Sequence, residues 1–137
     1  MPDIAPIAIL MVDDEPAVLW GLEKLIDGES PRMTVAGKTC DHAAALTLAA
    51  QLQPDVILLD LNLGGTLSLD FLPELLRRSQ AKILIFTCLH NRALHERALQ
   101  AGACGVVLKD EPVEALLEAI VSVSNRVIRA PDLACKL

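Results

Sequence analysis

A doubly wound α/β fold with a five-stranded parallel sheet is what this sequence predicts, and three observations predict it. Short continuous apolar runs recur along the 137-residue chain, the pattern of strands covered on both faces. Helical patterns separate these runs throughout, so strands and helices alternate as βαβ units. Nearly every apolar run ends in a polar residue able to do chemistry. Right-handed crossovers then place helices on both faces of one sheet.

The elements follow in order. Ile7-Ala8-Ile9-Leu10-Met11-Val12 reads as the first strand and ends in Asp13-Asp14. Over residues 16–27, Val18, Leu19, Leu22, Leu25 and Ile26 stand at helical spacing, with Pro16 suited to the first turn and Gly28 to the stop. Met33 to Gly37 is a weaker strand. Residues 42–52 are rich in Ala and Leu, with Asp41 as the expected cap and an end before Pro54. Val56-Ile57-Leu58-Leu59 is a clear strand ending in Asp60, followed by a Gly64-Gly65 loop that glycine is expected to loosen. A helix is expected around 69–78, its regular part starting near Pro73. Ile83-Leu84-Ile85-Phe86 ends in Thr87, and a helix over 91–101 turns Leu94, Ala98 and Ala101 to one face, with Gly102 as its stop. Val106-Val107-Leu108 ends in Lys109. The last helix, 112–124, is expected to bury Val113, Leu116, Leu117 and Ile120, with Asp110 as its cap. Residues 1–124 thus read as one domain. Residues 125–137 read as a C-terminal tail or the start of a linker, in which Pro131-Asp132-Leu133-Ala134 suits a further helix.

Composition narrows the function classes. Apolar residues make up 53 % of the chain and charged residues 22 %, which excludes an intrinsically disordered chain. Trp20, Phe71 and Phe86 are the only aromatics besides histidine, so the core must be aliphatic. A net charge of −6 argues against direct nucleic-acid binding, which needs clustered Lys and Arg. No apolar run approaches the roughly 20 residues of a membrane span. Met1-Pro2-Asp3 lacks the basic start of a secretory signal. Cys40, Cys88, Cys104 and Cys135 form no Cys-x-x-Cys pair and are expected to be reduced thiols of a cytoplasmic protein. Cys88 and Cys104, in or beside apolar runs, are expected to be small buried packing residues. His42, His90 and His95 are scattered, and the last two, five apart, do not share a helix face.

Ligands of a doubly wound sheet bind beyond the carboxyl ends of its strands. There the sequence delivers Asp13 and Asp14 from the first strand, Asp60 from the third, Thr87 from the fourth and Lys109 from the fifth. Crowded carboxylates repel one another unless a cation intervenes. Mg²⁺ suits an all-oxygen site of one or two carboxylates plus phosphate. An Asp at a strand tip beside Mg²⁺ and a lysine is set up to attack a phosphoryl group and form an aspartyl phosphate. The metal, Lys109 and Thr87 would then hold the transferring oxygens. The plainer alternative is a set of unrelated exposed strand ends.

Val12-Asp13-Asp14-Glu15, Pro54 through Asp60, Ile85-Phe86-Thr87 and Gly102-Ala103 through Lys109, in this order and spacing, resemble the receiver domain of bacterial two-component response regulators. The resemblance covers about residues 7–124 and implies a flavodoxin-like (βα)5 fold with strand order 2-1-3-4-5. It implies Asp60 as the phosphoacceptor, Asp14 as a direct Mg²⁺ ligand, Asp13 as a ligand largely through water, and the backbone carbonyl of Asn62 as the third protein ligand. Thr87 and Lys109 would bind the phosphoryl oxygens. The implied partners are a sensor histidine kinase or a phosphotransfer protein, and a homodimer is compatible with the pattern. Leu108-Lys109-Asp110, then Pro112 and an acidic-apolar helix, are similar to the NarL/FixJ subfamily. Its members usually carry a C-terminal helix-turn-helix domain, so DNA would be reached only through a domain outside this chain. A receiver acts only on itself, taking up and losing its own phosphoryl group.

Three departures from the family pattern stand out. Val106 occupies the switch position where an aromatic is common, Asp110 follows Lys109 where many receivers have a cis proline, and Gly64-Gly65 replaces the usual proline of the loop after Asp60. The positions said to tune phosphoryl loss are Asn62 and Leu89, and an apolar Leu89 points to a phosphoryl state lasting minutes or longer. Trp20 falls on the polar face of the first helix, beside Glu23 and Asp27, and marks a partner contact or folds onto a neighbouring helix. Two other readings compete: a pseudo-receiver that binds a partner without phosphate, and a phosphatase of the haloacid-dehalogenase type. The latter wants a second Asp where Asn62 stands.

Overall fold

The computed structural model describes residues 5–124. The tail 125–137, with Cys135, lies outside the described residues. The elements are β1 (Ile7–Val12), α1 (Pro16–Asp27), β2 (Met33–Thr39), α2 (His42–Leu52), β3 (Val56–Leu59), β4 (Asn62–Leu63), β5 (Thr66–Leu67), a 3₁₀ turn (Ser68–Asp70), α3 (Leu72–Arg78), β6 (Lys82–Thr87), α4 (Arg92–Gln100), β7 (Gly105–Leu108) and α5 (Val113–Ser124). The main sheet runs β2-β1-β3-β6-β7, and every neighbouring pair in it is parallel. Numbered by order of appearance within that sheet, this is 2-1-3-4-5.

Strand periodicity divides the core in two. Side chains alternate across a strand, so Leu10, Val12, Ile57, Leu59, Ile83 and Ile85 meet α2, α3 and α4 through Ala45, Ala49, Leu72, Leu75 and Ala98. Ile9, Met11, Val56, Leu58 and Leu84 face the other way, onto Leu19, Leu22 and Ile26 of α1 and Leu116 and Ile120 of α5. Both faces are covered, which is why β1 and β3 read as uninterrupted apolar runs. No helix among the described residues is long and apolar enough to cross a membrane.

Helix boundaries follow local chemistry. Asp41 caps α2 by accepting the Ala44 N–H, and Asn91 caps α4 by accepting that of Leu94. Pro73 sits in the first turn of α3. β2 runs two residues further than its apolar pattern, because a register shift opposite Ile9/Leu10 re-phases the edge strand.

Three expectations are corrected. Asp110 does not cap α5; its carboxylate accepts from His90 Nε2 across the rim, and the helix starts at Val113 after Pro112. Val113, in the first turn of α5, is 53 % exposed, whereas Leu116 and Ile120 are buried and Leu117 packs half-buried against the same cluster. Cys88 and Cys104 are exposed, not buried, because each lies just outside a strand at a chain turn. The glycine pair forms a two-residue hairpin turn. Gly64 and Gly65 take φ of 58° and 86° and close β4 onto antiparallel β5 with two residues. That turn needs positive φ at both positions, so glycine builds it.

Gly102 links α4 to β7 at φ 120°, and a methyl there would run into the Leu76 side chain. Gly102→Ala should lower stability by about 1–3 kcal/mol, read as a fall in the urea midpoint with unchanged slope.

Candidate functional site

The carboxyl ends of β1, β3, β6 and β7 form one rim. Val12 pairs with Leu59, so the next residues, Asp13 and Asp60, leave adjacent strands at the same level. The Asp60 N–H donates to the Val12 carbonyl at 3.0 Å. Thr87 ends β6 and pairs with Leu108 of β7, and the Lys109 N–H donates to the Thr87 carbonyl at 2.8 Å. Register alone therefore gathers four of the expected residues.

Lys109 is the centre of this rim. Its Nζ lies 2.7 Å from Asp13 Oδ2, 3.0 Å from Asp60 Oδ2 and 3.4 Å from Glu15 Oε1. It also lies 5.9 Å from the Phe86 ring centroid, within cation–π range. Asp13 and Asp60 are buried. Burial raises the Asp13 carboxyl above its ordinary value, and the Lys109 hydrogen bond and the Glu15 amide offset only part of this. Burial also works against the Lys109 charge, but the hydrogen bonds to Asp13 and Asp60 outweigh it and raise Lys109 far above the usual lysine range.

Each aspartate also accepts one main-chain amide. Glu15 N–H donates to Asp13 Oδ1 at 3.0 Å, Asn62 N–H to Asp60 Oδ1 at 3.3 Å, and Gly64 N–H to Asp14 Oδ2 at 2.9 Å. The last bond anchors the β4–β5 hairpin to the acidic corner. One ligand atom each from Asp13, Asp14 and Glu15 lie within 4.8 Å of one another, close enough to share a metal ion. Hard oxygen donors in excess over one lysine fit a small divalent cation.

The remaining expected residues stand around this centre. Thr87 is fully buried, and its Oγ1 accepts the Leu89 N–H at 3.2 Å. The Asn62 side chain is engaged by the hairpin, accepting the Gly65 N–H at 3.0 Å. Val106 and Leu89 are partly buried in the apolar cluster on the α2–α4 face. Trp20 is 63 % exposed on α1 with Lys24 Nζ 5.5 Å from its ring centroid, so it does not fold onto a neighbouring helix. Three contributors went unread in the sequence. Glu15 directly follows the aspartate pair and was open to the same reasoning. Ser68, fully buried, donates its hydroxyl to the Asp60 carbonyl at 2.6 Å, and no pattern marks it. The histidine contacts of the β6–α4 loop depend on loop shape alone.

Removing one partner of a buried ion cluster leaves the others uncompensated. Lys109→Met, which keeps the stem and loses the charge, should cost roughly 3 kcal/mol in urea unfolding at neutral pH. Adding Asp13→Asn should recover part of the loss.

Comparison with known proteins places this geometry. The family model for the response regulator receiver domain matches residues 9–121. The nitrate/nitrite response regulator protein NarP of Escherichia coli K12 is 40 % identical over 121 residues, 88 % of this chain and 56 % of that protein. The transcriptional regulatory protein DesR of Bacillus subtilis is 35 % identical over 128 residues, 93 % of this chain and 63 % of that protein. The chain thus spans a little over half the length of such relatives. Among solved structures, the signal receiver domain of the putative response regulator NarL from Mycobacterium tuberculosis superposes with a TM-score of 0.80 at 26 % identity, covering 88 % of this chain and 98 % of that one. A LuxR-family two-component response regulator from Aurantimonas gives 0.81 at 31 %, covering 95 % and 94 %. The chain belongs to the response regulator receiver domain family.

Proposed function

We propose that this receiver accepts a phosphoryl group on Asp60 from the phosphohistidine of a sensor kinase or phosphotransfer protein, and that the change at the rim controls an output carried outside this chain. The observation that carries this reading is the Lys109 ammonium bridging Asp13 and Asp60 at 2.7 and 3.0 Å, with buried Thr87 on the intervening strand. The Asp60 carboxylate is held at both oxygens, by Lys109 and by the Asn62 amide, and so is oriented before a donor arrives. A carboxylate oxygen forms the new P–O bond as the bond from phosphorus to the leaving imidazole breaks, and the imidazole keeps the electron pair. Lys109 and the Thr87 hydroxyl bind the transferred oxygens. Asp13, Asp14, Asp60 and the Asn62 carbonyl would hold Mg²⁺, which supplies positive charge to the crowded carboxylates and the phosphoryl oxygens.

The chain carries out this chemistry only on itself. A haloacid-dehalogenase route lacks its acid, since Asn62 cannot ionise and its side chain is taken up by Gly65. Leu89, packed in apolar surroundings, cannot hydrogen-bond an attacking water, which favours a long-lived phosphoryl state. The regulators named among the relatives support transcription as the output, with DNA reached through a helix-turn-helix domain outside this sequence, in the cytoplasm. Exposed Trp20 stands on α1, which also contributes Val18, Leu22 and Leu25 to a groove of about 580 Å³ shared with Leu116 of α5 and edged by Lys24 and Glu111. That surface suits a kinase helix or a second copy of the chain.

With Mg²⁺ and acetyl phosphate, intact mass should show one added phosphate, removed by hydroxylamine, persisting for minutes or longer and missing in Asp60→Asn. No adduct on the parent, with Mg²⁺ shown to bind, points to the pseudo-receiver reading. Trp20→Ala should slow transfer from a kinase that phosphorylates the parent by roughly tenfold, as expected of an aromatic contact, while labelling by acetyl phosphate stays unchanged. If kinase transfer and oligomeric state are both unaltered, Trp20 is not a partner contact.

A further inference from the structure

The loop between β6 and α4, residues 88–91, is tied down by two histidines that the rim chemistry does not use. His95, on α4, places Nε2 2.7 Å from the main-chain carbonyl of Leu89. A carbonyl only accepts, so Nε2 carries the proton and donates it. Leu89 in turn donates its N–H to Thr87 Oγ1 at 3.2 Å. Two hydrogen bonds thus join a buried hydroxyl at the sheet rim to a ring on α4. The second histidine braces the same loop from the side: His90 Nε2 donates to Asp110 Oδ2 at 2.9 Å, reaching the turn after β7.

Val106 shows why this path matters. It is partly buried in the apolar cluster together with Leu89 and Leu94. It has no polar atom and no ring, so it cannot follow the movement of a hydroxyl by hydrogen bonding or by rotation. The polar connection from Thr87 to α4 that the structure does contain runs through Leu89 and His95.

We propose that His95 is a positioning residue that holds the Leu89 peptide, and through it the Thr87 hydroxyl, and so couples phosphoryl binding at the rim to α4. The proposal rests on the reading of Thr87 as a phosphoryl ligand. When the Thr87 side chain rotates to bring Oγ1 to a phosphoryl oxygen, Oγ1 itself moves, and the Leu89 N–H bonded to it is displaced. The Leu89 carbonyl moves with it about the shared Cα, and the His95 bond passes that shift to the helix.

The test uses ¹⁵N-labelled parent, His95→Leu and His95→Gln, each free and after Mg²⁺ and acetyl phosphate, with intact mass reporting phosphate uptake. All three should take up one phosphate. Amide resonances of residues 92–100 should move in the parent and in His95→Gln, whose amide can still donate to Leu89, and should stay near their free positions in His95→Leu. In the free protein, His95→Leu should speed hydrogen exchange of the Leu89 amide by up to about tenfold, the loss expected from one hydrogen bond, and His95→Gln should not. Should His95→Leu fail to fold, His95→Glu, which offers the carbonyl only acceptors at neutral pH, should show the same loss. Equal α4 shifts in His95→Leu and the parent would overturn the coupling alone. So would a His95→Gln protein that behaves like His95→Leu, because the donated bond would then not matter. A parent that takes up no phosphate would overturn the phosphoacceptor reading and the coupling with it.

Discussion

One ammonium shared among three carboxylates is the constraint on which the rest of this molecule depends. Lys109 Nζ sits within 3.4 Å of Asp13, Asp60 and Glu15, and the two aspartates are buried. The sheet explains why the cation is a lysine. β7 is separated from β3 by β6, so Lys109 must cross two strand spacings of roughly 5 Å each to reach Asp60. Only a long side chain spans that distance, and its path brings it against Phe86. Thr87, on the strand between, is a short side chain because its neighbour is one spacing away. Side-chain length at this rim scales with distance from β3.

The charge balance that results is incomplete: Asp13, Asp60 and Glu15 share a single ammonium, and Asp14 adds a fourth carboxylate to the same corner. The main chain makes up part of the deficit, since each aspartate accepts one amide, two of them from two residues ahead and one from Gly64 across the rim. These amides carry only partial charge. A rim built this way favours added cations, and it explains the β4–β5 hairpin. Turning the chain with two residues brings an N–H onto Asp14, which a looser connection would not hold in place. The same hairpin occupies the Asn62 side chain, so the residue two past Asp60 is set by loop closure as much as by any role in hydrolysis.

How much of this was legible in the sequence depended on whether position or shape decides a residue's role. Asp13, Asp60, Thr87 and Lys109 were readable because each ends an apolar run, and parallel register then aligns run ends automatically. The main helices were readable from spacing and caps, Asp41 above all. The hairpin was not, because two residues per strand are too few to show a period. Cys88 and Cys104 misled for the opposite reason: an apolar neighbourhood in sequence says nothing about which side of a chain turn faces solvent. Asp110 looked like a cap by distance from the helix, while its carboxylate is used by His90, twenty residues away in sequence. Ser68 could not be found at all, since its role exists only once the chain has folded back onto the Asp60 carbonyl.

The contrast between Val106 and the histidines follows from the nature of the forces. Apolar contact is non-directional and tolerates small shifts of its partners, so Val106 can fill space in the apolar cluster without registering which way a hydroxyl points. A hydrogen bond weakens steeply with angle, and it therefore reports orientation. Leu89 combines both: its side chain packs in the apolar cluster while its N–H and carbonyl link Thr87 to His95. The side chain fixes the pivot and the two peptide groups move about it. Valine at position 106 thus brings no ring to this cluster, while the backbone of Leu89 supplies directionality to the loop.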